Sequence, residues 1–441
     1  MHKKLKITDT LTGKKQELET INPGLLNMYV CGVTPYDHAH VGHGRCYVTF
    51  DLLYRFLKHL GYKVNYCRNF TDVDDKLLNK AEKELGNPLR FQEISEKFIA
   101  SFKEDVASLG CLSPDFEPKV TETIPEIIQF IQGLINNGKA YEVGGDVYFS
   151  VRSFKDYGKL SKRNLEDLKA GARVEINEKK KDPLDFALWK AEKAGTFWES
   201  PMGFGRPGWH IECSAMANKF LGESIDLHAG GMDLIFPHHE NEIAQSEGRS
   251  GKPFSKYWMH NAFVQLDKEK MSKSLGNFFT LKDVFKQFDP KLIRFYYLSH
   301  SYNVPLDFSF DELEKMKKSY KKLVRTFVDV EAMEADSEVV NQMEKFLLDD
   351  LNTPGMFGVV FENLPTLEID KTEAGAVKAF LQNVLGMPLV PFKEEIVEIT
   401  SEIQELIDER NRARNQKNWQ RADEIRKQLA AMNIKIEDKA N

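Results

Sequence analysis

The sequence predicts an α/β fold: a parallel-sheet domain near the N-terminus, interrupted by an insertion and followed by helices. Two observations carry the sheet. "LNMYVCGV" is rich in β-formers and ends at Thr34-Pro35, and "KVNYCRNF" repeats that character some thirty residues later. Between them Tyr47, Phe50, Leu53, Leu57 and Leu60 recur at helical spacing, and Gly61 stops the run. Strand, helix, strand in that order is a βαβ unit, which implies a parallel sheet with ligands at the carboxyl ends of its strands. A third observation places the helices: from about residue 312 the chain is amphipathic with helical period for most of its length.

The remaining elements follow in order. Residues 76–140 read as largely helical. Between about 140 and 205 the character changes, with a strand in "GGDVYFSV", a charged loop in "EINEKKKDPLD" and a Gly/Pro-rich loop in "SPMGFGRPGWH". "SIDLHAGG" reads as a strand returning to the sheet and opening into a glycine-rich turn. Pro237 is expected to begin the helix "PHHENEIAQSEG". The domain boundaries are therefore expected at 1–114 and 206–250 for the sheet domain and 115–205 for the insertion. A connecting segment is expected over 251–311, a helical bundle over 312–390 and a small C-terminal unit over 391–441. At 441 residues the chain is long enough for about three domains.

Composition excludes some classes. The chain is 41% hydrophobic and 29% charged, the balance of a soluble globular protein. No apolar run reaches the roughly 18 residues of a membrane span. "MHKKLKITDT" has no apolar stretch behind its lysines, so it does not read as a signal peptide. Five scattered cysteines suggest reduced thiols and a cytoplasmic setting. A net charge of −6 argues against an overall nucleic-acid coat and leaves room for a local basic face.

Three segments carry chemistry. In "HHENE", His238 and Glu242 stand at i and i+4, a spacing that suits a metal but is commoner as an ordinary His–Glu surface pair. In "HVGH", His40 and His43 bracket Gly42 at a helix start, where free N–H groups and the helix dipole attract phosphate. They could also simply cap and pack. In "KEKMSKSLGN", Lys270 and Lys273 flank small hydroxyl residues, with Gly276 as a hinge. Such lysines can follow charge that moves during phosphoryl chemistry.

"HVGH" followed by "KMSKS" resembles the paired signatures of the class I aminoacyl-tRNA synthetases. "CGVTPYDHAHVGHGR", "NFTDVDDK", "GARVEI", "DFALWK", "GRPGWHIECSAM", "DLHAGGMDLIFPHHENEIAQSE" and "KMSKSLGNFFT" together resemble the cysteinyl branch of that family. They occur in order and cover most of residues 27–310. The resemblance implies a Rossmann-like catalytic domain with an inserted connective domain, a helical bundle and a small C-terminal anticodon-binding domain.

It also implies the activity: L-cysteine is activated with ATP to cysteinyl-adenylate and passed to the 3′ end of tRNA(Cys). One Zn²⁺ per chain is implied, held by Cys31, Cys213, His238 and Glu242 and selecting the cysteine thiolate. Mg²⁺ is expected to arrive with ATP. Zinc bonds a thiolate well and a neutral hydroxyl weakly, so serine would be rejected at the metal and proofreading becomes unnecessary. By the same resemblance His40, His43, Lys270 and Lys273 are catalytic. Gly42, Gly230, Gly231 and Asp233 join them in binding ATP. Thr71, Trp209 and His228 match pocket positions, and Trp209 reads equally well as a core tryptophan.

The anticodon contacts are implied at Arg414, Trp419, Asp423 and Asp438. They lie in "ERNRARNQKNWQRADEIRKQLAAMNIKIED", which reads as two helices and a short strand. Without the family match, the same stretch reads as a solvated helical hairpin with Trp419 as its small core. Relatives run on past this point in a Gly- and Arg-rich tail, whereas the last residues here are "IEDKAN". Ser301 and Asn303 stand where relatives often carry histidine and arginine, and Ala229 where glycine is usual. Cys46, Cys67 and Cys111 receive no role and are expected to be buried or half-buried thiols. The protein is expected to be a monomer without a membrane or a stable protein partner.

Two other functions remain on the sequence alone. A ligase could activate cysteine and join it to a small amine, sharing the zinc and both signatures but lacking need of the basic C-terminal hairpin. A catalytically silent paralogue should have lost a signature residue, and none is missing.

Overall fold

The structure is a computed structural model that describes residues 3–164, 179–266, 269–270, 278–392, 401–416 and 418–431. Its centre is a sheet of four parallel strands in the order β10-β9-β3-β4. These are β3 (Leu25–Val33), β4 (Lys63–Phe70), β9 (Ile225–Gly231) and β10 (Ser255–Asn261). Their near-continuous burial is what a sheet covered on both faces requires.

The connections follow from the strand order. From β3 the chain crosses through α1 (Val41–His59) to β4 on one side, and from β9 it crosses through α6 (Glu240–Ser250) to β10 on the other. Neighbouring strands β3 and β9 thus send their helices in opposite directions. This opens a crevice at their carboxyl ends, the place where such sheets bind ligands. The fourth strand, β10, lies beyond residue 250, where the sheet domain was expected to end. It joins the sheet by parallel pairing with β9, whose partner residues lie thirty positions earlier.

A hairpin of β1 (Lys6–Asp9) and β2 (Lys14–Glu17) precedes the sheet. Helices α2 (Asp75–Leu85), α3 (Phe91–Ser108) and α4 (Ile124–Asn136) follow β4. Next comes a separate antiparallel sheet, β5 (Ala140–Val143), β6 (Asp146–Phe149), β7 (Phe186–Ala191) and β8 (Gly205–Pro207), in sequential order. Helix α5 (Trp209–Leu221) returns the chain to β9. The core runs through both sheets, from Tyr29 and Cys67 by way of Ile127 and Phe149 to Trp189 and Ile243.

Beyond β10 come β11 (Val264–Leu266), β12 (Glu269–Lys270), α7 (Leu281–Phe285), α8 (Pro290–Leu298) and β13 (Leu306–Asp307). The helices α9 (Phe310–Phe327), α10 (Glu338–Leu348), α11 (Thr353–Ile369) and α12 (Lys371–Asn383) complete a unit that ends near residue 390. A second unit, 391–441, contains α13 (Ser401–Asn415) and α14 (Trp419–Ala431), packed through Ile403, Ile425 and Leu429. The short strand expected after α14 lies outside the described residues. No helix among the described residues is long and apolar enough to cross a membrane.

One helix start is preceded by a kink. Phe236 has extended backbone angles of −142° and 132° and is the one residue of Ile235–His239 outside the helical region, so helical backbone resumes at Pro237, as the sequence suggested, and runs on into α6. His238 and Glu242 therefore keep their i, i+4 relation.

Candidate metal and nucleotide site

Cys31 lies near the carboxyl end of β3, where close backbone approach fixes it. A Cβ on Gly32 would fall 1.6 Å from the Asn69 carbonyl oxygen, so only glycine lets β3 and β4 meet there. The Gly32 N–H donates to Asn69 Oδ1 at 2.9 Å. From α5, Cys213 reaches the same place, and its Sγ lies 3.9 Å from that of Cys31. Glu242, on the first turn of α6, is fully buried. Its Oε1 sits 3.1 Å from His238 Nε2 and 3.4 Å from Cys31 Sγ.

The ligand atoms of Cys31, Cys213, His238 and Glu242 all lie within 4.8 Å of one another. A second quartet shares two of them: Cys31, His228, His239 and Glu242. His228 Nε2 is 2.8 Å from Glu242 Oε2, and His239 Nε2 is 3.3 Å from Cys31 Sγ. The donor chemistry separates the two sets. Two sulfurs, one imidazole and one carboxylate make a borderline-soft tetrahedral set of the kind zinc takes, and the first quartet alone supplies both sulfurs.

The charges agree with that choice. Its hydrogen bond from Cys31, joined by His238, brings the Cys213 thiol down to about 6 against the opposing effect of burial. Burial pushes the Cys31 thiol up. Burial also acts to raise Glu242, but His228 and His238 outweigh it and hold the carboxyl well below the usual range. His238 is pulled down by burial and lifted more strongly by Glu242 and Cys213, to about 10. A pocket this dry that holds a carboxylate and a favoured thiolate is built for a cation.

Around the quartet stands a polar shell that the sequence reading missed. His210 Nδ1 lies 2.9 Å from His238 Nδ1. His239 Nδ1 lies 2.8 Å from His260 Nε2, and His260 Nδ1 lies 2.7 Å from Thr10 Oγ1. Asn69 Oδ1 is 3.7 Å from Cys213 Sγ. These residues come from five separate stretches, and no local spacing joins them. The three expected pocket residues lie here too. His228 is buried against Glu242, and Thr71 donates to Glu212 Oε2 at 2.8 Å. Trp209 is 41% exposed and its ring stacks on His238 at 4.4 Å between centroids, so it is not a core tryptophan.

The histidine pair occupies the start of α1. His40 is the N-cap: its side chain accepts from the His43 N–H, and the His43 side chain accepts from the His40 N–H. The rings stack at 3.6 Å. A Cβ on Gly42 would come within 2.9 Å of the His40 ring, so the space that glycine opens is filled by that imidazole and not left for a base or ribose. Gly230 and Gly231 end β9 across the crevice, and a Cβ on Gly231 would sit 2.4 Å from Asp233 Oδ1. The second glycine is what lets Asp233 fold back over the strand end.

The family model described as tRNA synthetases class I (C) catalytic domain matches residues 17–318, and the Cysteinyl-tRNA ligase anticodon binding domain matches residues 397–441. Proteins named cysteine–tRNA ligase from Geobacter sulfurreducens and from a Geobacillus species are 47% and 48% identical. The first alignment covers 99% of this chain and 98% of that protein, the second 98% and 97%. The chain belongs to the cysteine–tRNA ligase family. It is an aminoacyl-tRNA ligase by that membership.

Solved class I enzymes share the fold. Mycobacterium tuberculosis methionyl-tRNA synthetase with methionyl-adenylate superimposes with a TM-score of 0.56 at 12% identity, over 90% of this chain and 96% of that one. An Agrobacterium radiobacter LeuRS ternary complex does so with 0.59 at 12% identity, over 84% of each chain.

The cysteine–tRNA ligase signatures are only partly within the described residues. Lys270 ends β12, where it pairs in register with Gln265. Its side chain, all of Lys273 and Gly276, and Asp438 lie outside them. Arg414 falls on α13, and Trp419 and Asp423 on α14. Trp419 is 59% exposed, so the small core of that hairpin is Ile403, Ile425 and Leu429 and not the indole. Arg421 is engaged by Glu409 at 2.8 Å. All five thiols are free; Cys46 and Cys67 are buried and Cys111 is half-buried.

Proposed function

We propose that this chain is a cysteine–tRNA ligase that activates L-cysteine with ATP and transfers it to tRNA(Cys), with zinc in the Cys31, Cys213, His238, Glu242 site. The convergence of these four donors beside the histidine-bearing start of α1 carries the reading. Bound there, zinc supplies a cation that takes a thiolate sulfur in preference to a neutral hydroxyl.

The chain's own residues then position the reaction. Trp209, stacked on His238, and Thr71 and His228 shape the floor on which cysteine lies. In the first step a carboxylate oxygen of cysteine attacks the α-phosphorus of ATP, forming cysteinyl-adenylate as pyrophosphate leaves. His40 and His43 donate hydrogen bonds to phosphate oxygens at the N-terminus of α1, whose dipole favours the same charge. Lys270 and Lys273 neutralise the departing pyrophosphate, with Mg²⁺ supplied on the nucleotide. Gly42 makes room for the His40 ring at the start of α1, Gly230 and Gly231 shape the nucleotide cleft, and Asp233 accepts from a ribose hydroxyl. In the second step the terminal ribose hydroxyl of tRNA attacks the adenylate carbonyl and AMP leaves. No residue need become covalently attached, so rate comes from positioning and charge.

Arg414, Trp419, Asp423 and Asp438 would read the anticodon, the aromatic by stacking and the carboxylates by accepting N–H groups of base edges. Five free thiols fit a reducing, cytoplasmic setting. The test is cysteine-dependent exchange of pyrophosphate into ATP, followed by charging of purified tRNA(Cys) with zinc measured in the same sample. Exchange without charging would favour the small-amine ligase. No exchange from zinc-loaded protein would favour a silent paralogue.

A further inference from the structure

Helix α3 carries a polar face that no part of the reaction has used. Ser101, Glu104 and Asp105 stand at i, i+3 and i+4, so they share one side of the helix. That side addresses two segments at once. Ser101 Oγ lies 2.8 Å from His38 Nδ1, and Phe98, one turn earlier, meets the same imidazole edge-on at 5.1 Å. Glu104 Oε2 and Asp105 Oδ1 take Lys282 Nζ at 2.8 and 3.4 Å.

Residues 38 and 282 flank the place where the two signature segments join. Leu281 N–H donates to the Ala39 carbonyl at 2.7 Å, and Val41 N–H donates to the Phe279 carbonyl at 3.2 Å. Between these two bonds His40 and Thr280 form an isolated antiparallel bridge, and the His40 ring meets Phe278 edge-on at 5.2 Å. The orientation of His40, and through the capping box that of His43, therefore depends on where residues 278–281 sit. Lys282 is the side chain that pins that stretch to α3.

Asp105 is the unusual member. It is 2% exposed, and its Oδ2 has no partner among the described residues. A buried carboxylate with one oxygen unanswered costs free energy, so a reason to keep it is expected. Lys282 supplies that reason only if its place matters. The lysine itself is 33% exposed and lines an open cleft of about 230 Å³ with Ser108, Phe285 and Lys286. Shortening it leaves solvated space and not a core void.

We propose that Lys282 is a positioning residue for the His40–His43 pair, held by Glu104 and Asp105 so that the joined segments keep one register. This rests on the nucleotide role proposed for that pair. Lys282 touches no substrate, and it acts on ATP handling and not on cysteine binding, whose site lies at the metal quartet. A shift of about 1 Å in such a clasp is enough to lose rate without losing the fold.

The experiment is pyrophosphate exchange by the zinc-loaded full chain, with Lys282→Ala, Lys282→Arg and Asp105→Asn beside wild type. Lys282→Ala is expected to lower kcat about tenfold and raise KM for ATP, with KM for cysteine and zinc content within error of wild type and a modest fall in Tm from the carboxylate of Asp105 left unpaired. Lys282→Arg should recover most of the rate, since it keeps the charge and reach, and Asp105→Asn should fall between. Wild-type rate and KM for ATP in Lys282→Ala would overturn the proposal. So would an equal rise in KM for both substrates, or a Lys282→Arg protein as slow as the alanine variant. A wild type that itself shows no exchange would sink the functional reading first, which separates the two failures.

Discussion

His210 Nδ1 faces His238 Nδ1 at 2.9 Å, so one of the two nitrogens must donate and the other accept. For His238 to offer the lone pair of Nε2 toward Glu242 and the thiols, its proton must sit on Nδ1, and His210 must be the acceptor. His210→Phe keeps an aromatic ring in place and removes the acceptor. It is expected to weaken zinc retention by about 10- to 100-fold, the usual scale for losing such a partner. Competition with a chromophoric chelator measures it. Undiminished affinity would mean that His238 is not held in that tautomer.

Arg45 makes the opposite kind of contact. Its guanidinium is buried with no carboxylate partner among the described residues and donates to four carbonyls, of Ala262, Phe263, Ser301 and Val304. Burial lowers it to about 10, still charged at neutral pH. The side chain ties the start of α1 to the strand leading into Lys270 and to the 301–304 turn. Ser301 takes part through its carbonyl oxygen, which any residue would supply, so the departure from relatives at that position leaves this contact intact. Arg45→Ala should destabilise the protein by about 3 kcal/mol, read by urea unfolding, because each charge-assisted bond lost leaves a carbonyl unanswered. Arg45→Lys should recover less than half, since an ammonium has three donors and no planar fork.

The fold was legible where periodicity is local. Strands β3, β4 and β9 and helix α1 follow from runs of β-formers and a helical stripe, each complete within about twenty residues. The kink ahead of α6 was not: Pro237 reads as a first-turn proline, and helical backbone does resume there, but nothing local announces the extended Phe236 just before it. The metal quartet was legible by resemblance alone: Cys31 and Cys213 are 182 positions apart, and nothing local links them. Its outer shell of His210, His239, His260 and Asn69 left no readable signal apart from His239, which follows His238 in the same short motif. The alternative core readings of Trp209 and Trp419 could not be set aside from the sequence for the same reason. An aromatic in an amphipathic stretch carries no mark of the side it faces.

His260 should give the wild-type protein an acid-sensitive component of stability. Burial holds it neutral and lowers it to about 3, while the unfolded value is near 6.5. A depressed value means that the unfolded chain binds the extra proton. The stability it contributes is complete above pH 6.5 and is lost as pH falls toward 3. His260→Gln retains a partner for Thr10 and His239 and removes the titration. In chelator-treated protein, the slope of unfolding free energy against pH between 6 and 4 should be shallower in the variant by about 1.4 kcal/mol per unit. Parallel slopes would mean that the imidazole is already charged in the folded state.

Trp209 separates packing from recognition. Its exposure and its stacking on His238 predict that Trp209→Ala costs about 1 kcal/mol or less in stability. The same change should raise KM for cysteine at least fivefold in pyrophosphate exchange while leaving KM for ATP unchanged. A large loss of stability with unaltered KM would assign the indole to packing after all.

Trp419 tests the C-terminal unit in the same way. The hairpin holds together through Ile403, Ile425 and Leu429, and the indole stands 59% exposed outside that cluster. At that exposure most of the indole face is open to a stacking partner. Stacking on an unpaired base is worth about 1–3 kcal/mol per base, enough to account for its place. Trp419→Ala should therefore leave pyrophosphate exchange and Tm unchanged and raise KM for tRNA in charging by about tenfold or more. Exchange needs only the cysteine and nucleotide sites, so its constancy is the internal control. If charging persisted at wild-type KM, the indole would not be contacting RNA. The recognition would then fall to Arg414 and Asp423 on the same hairpin.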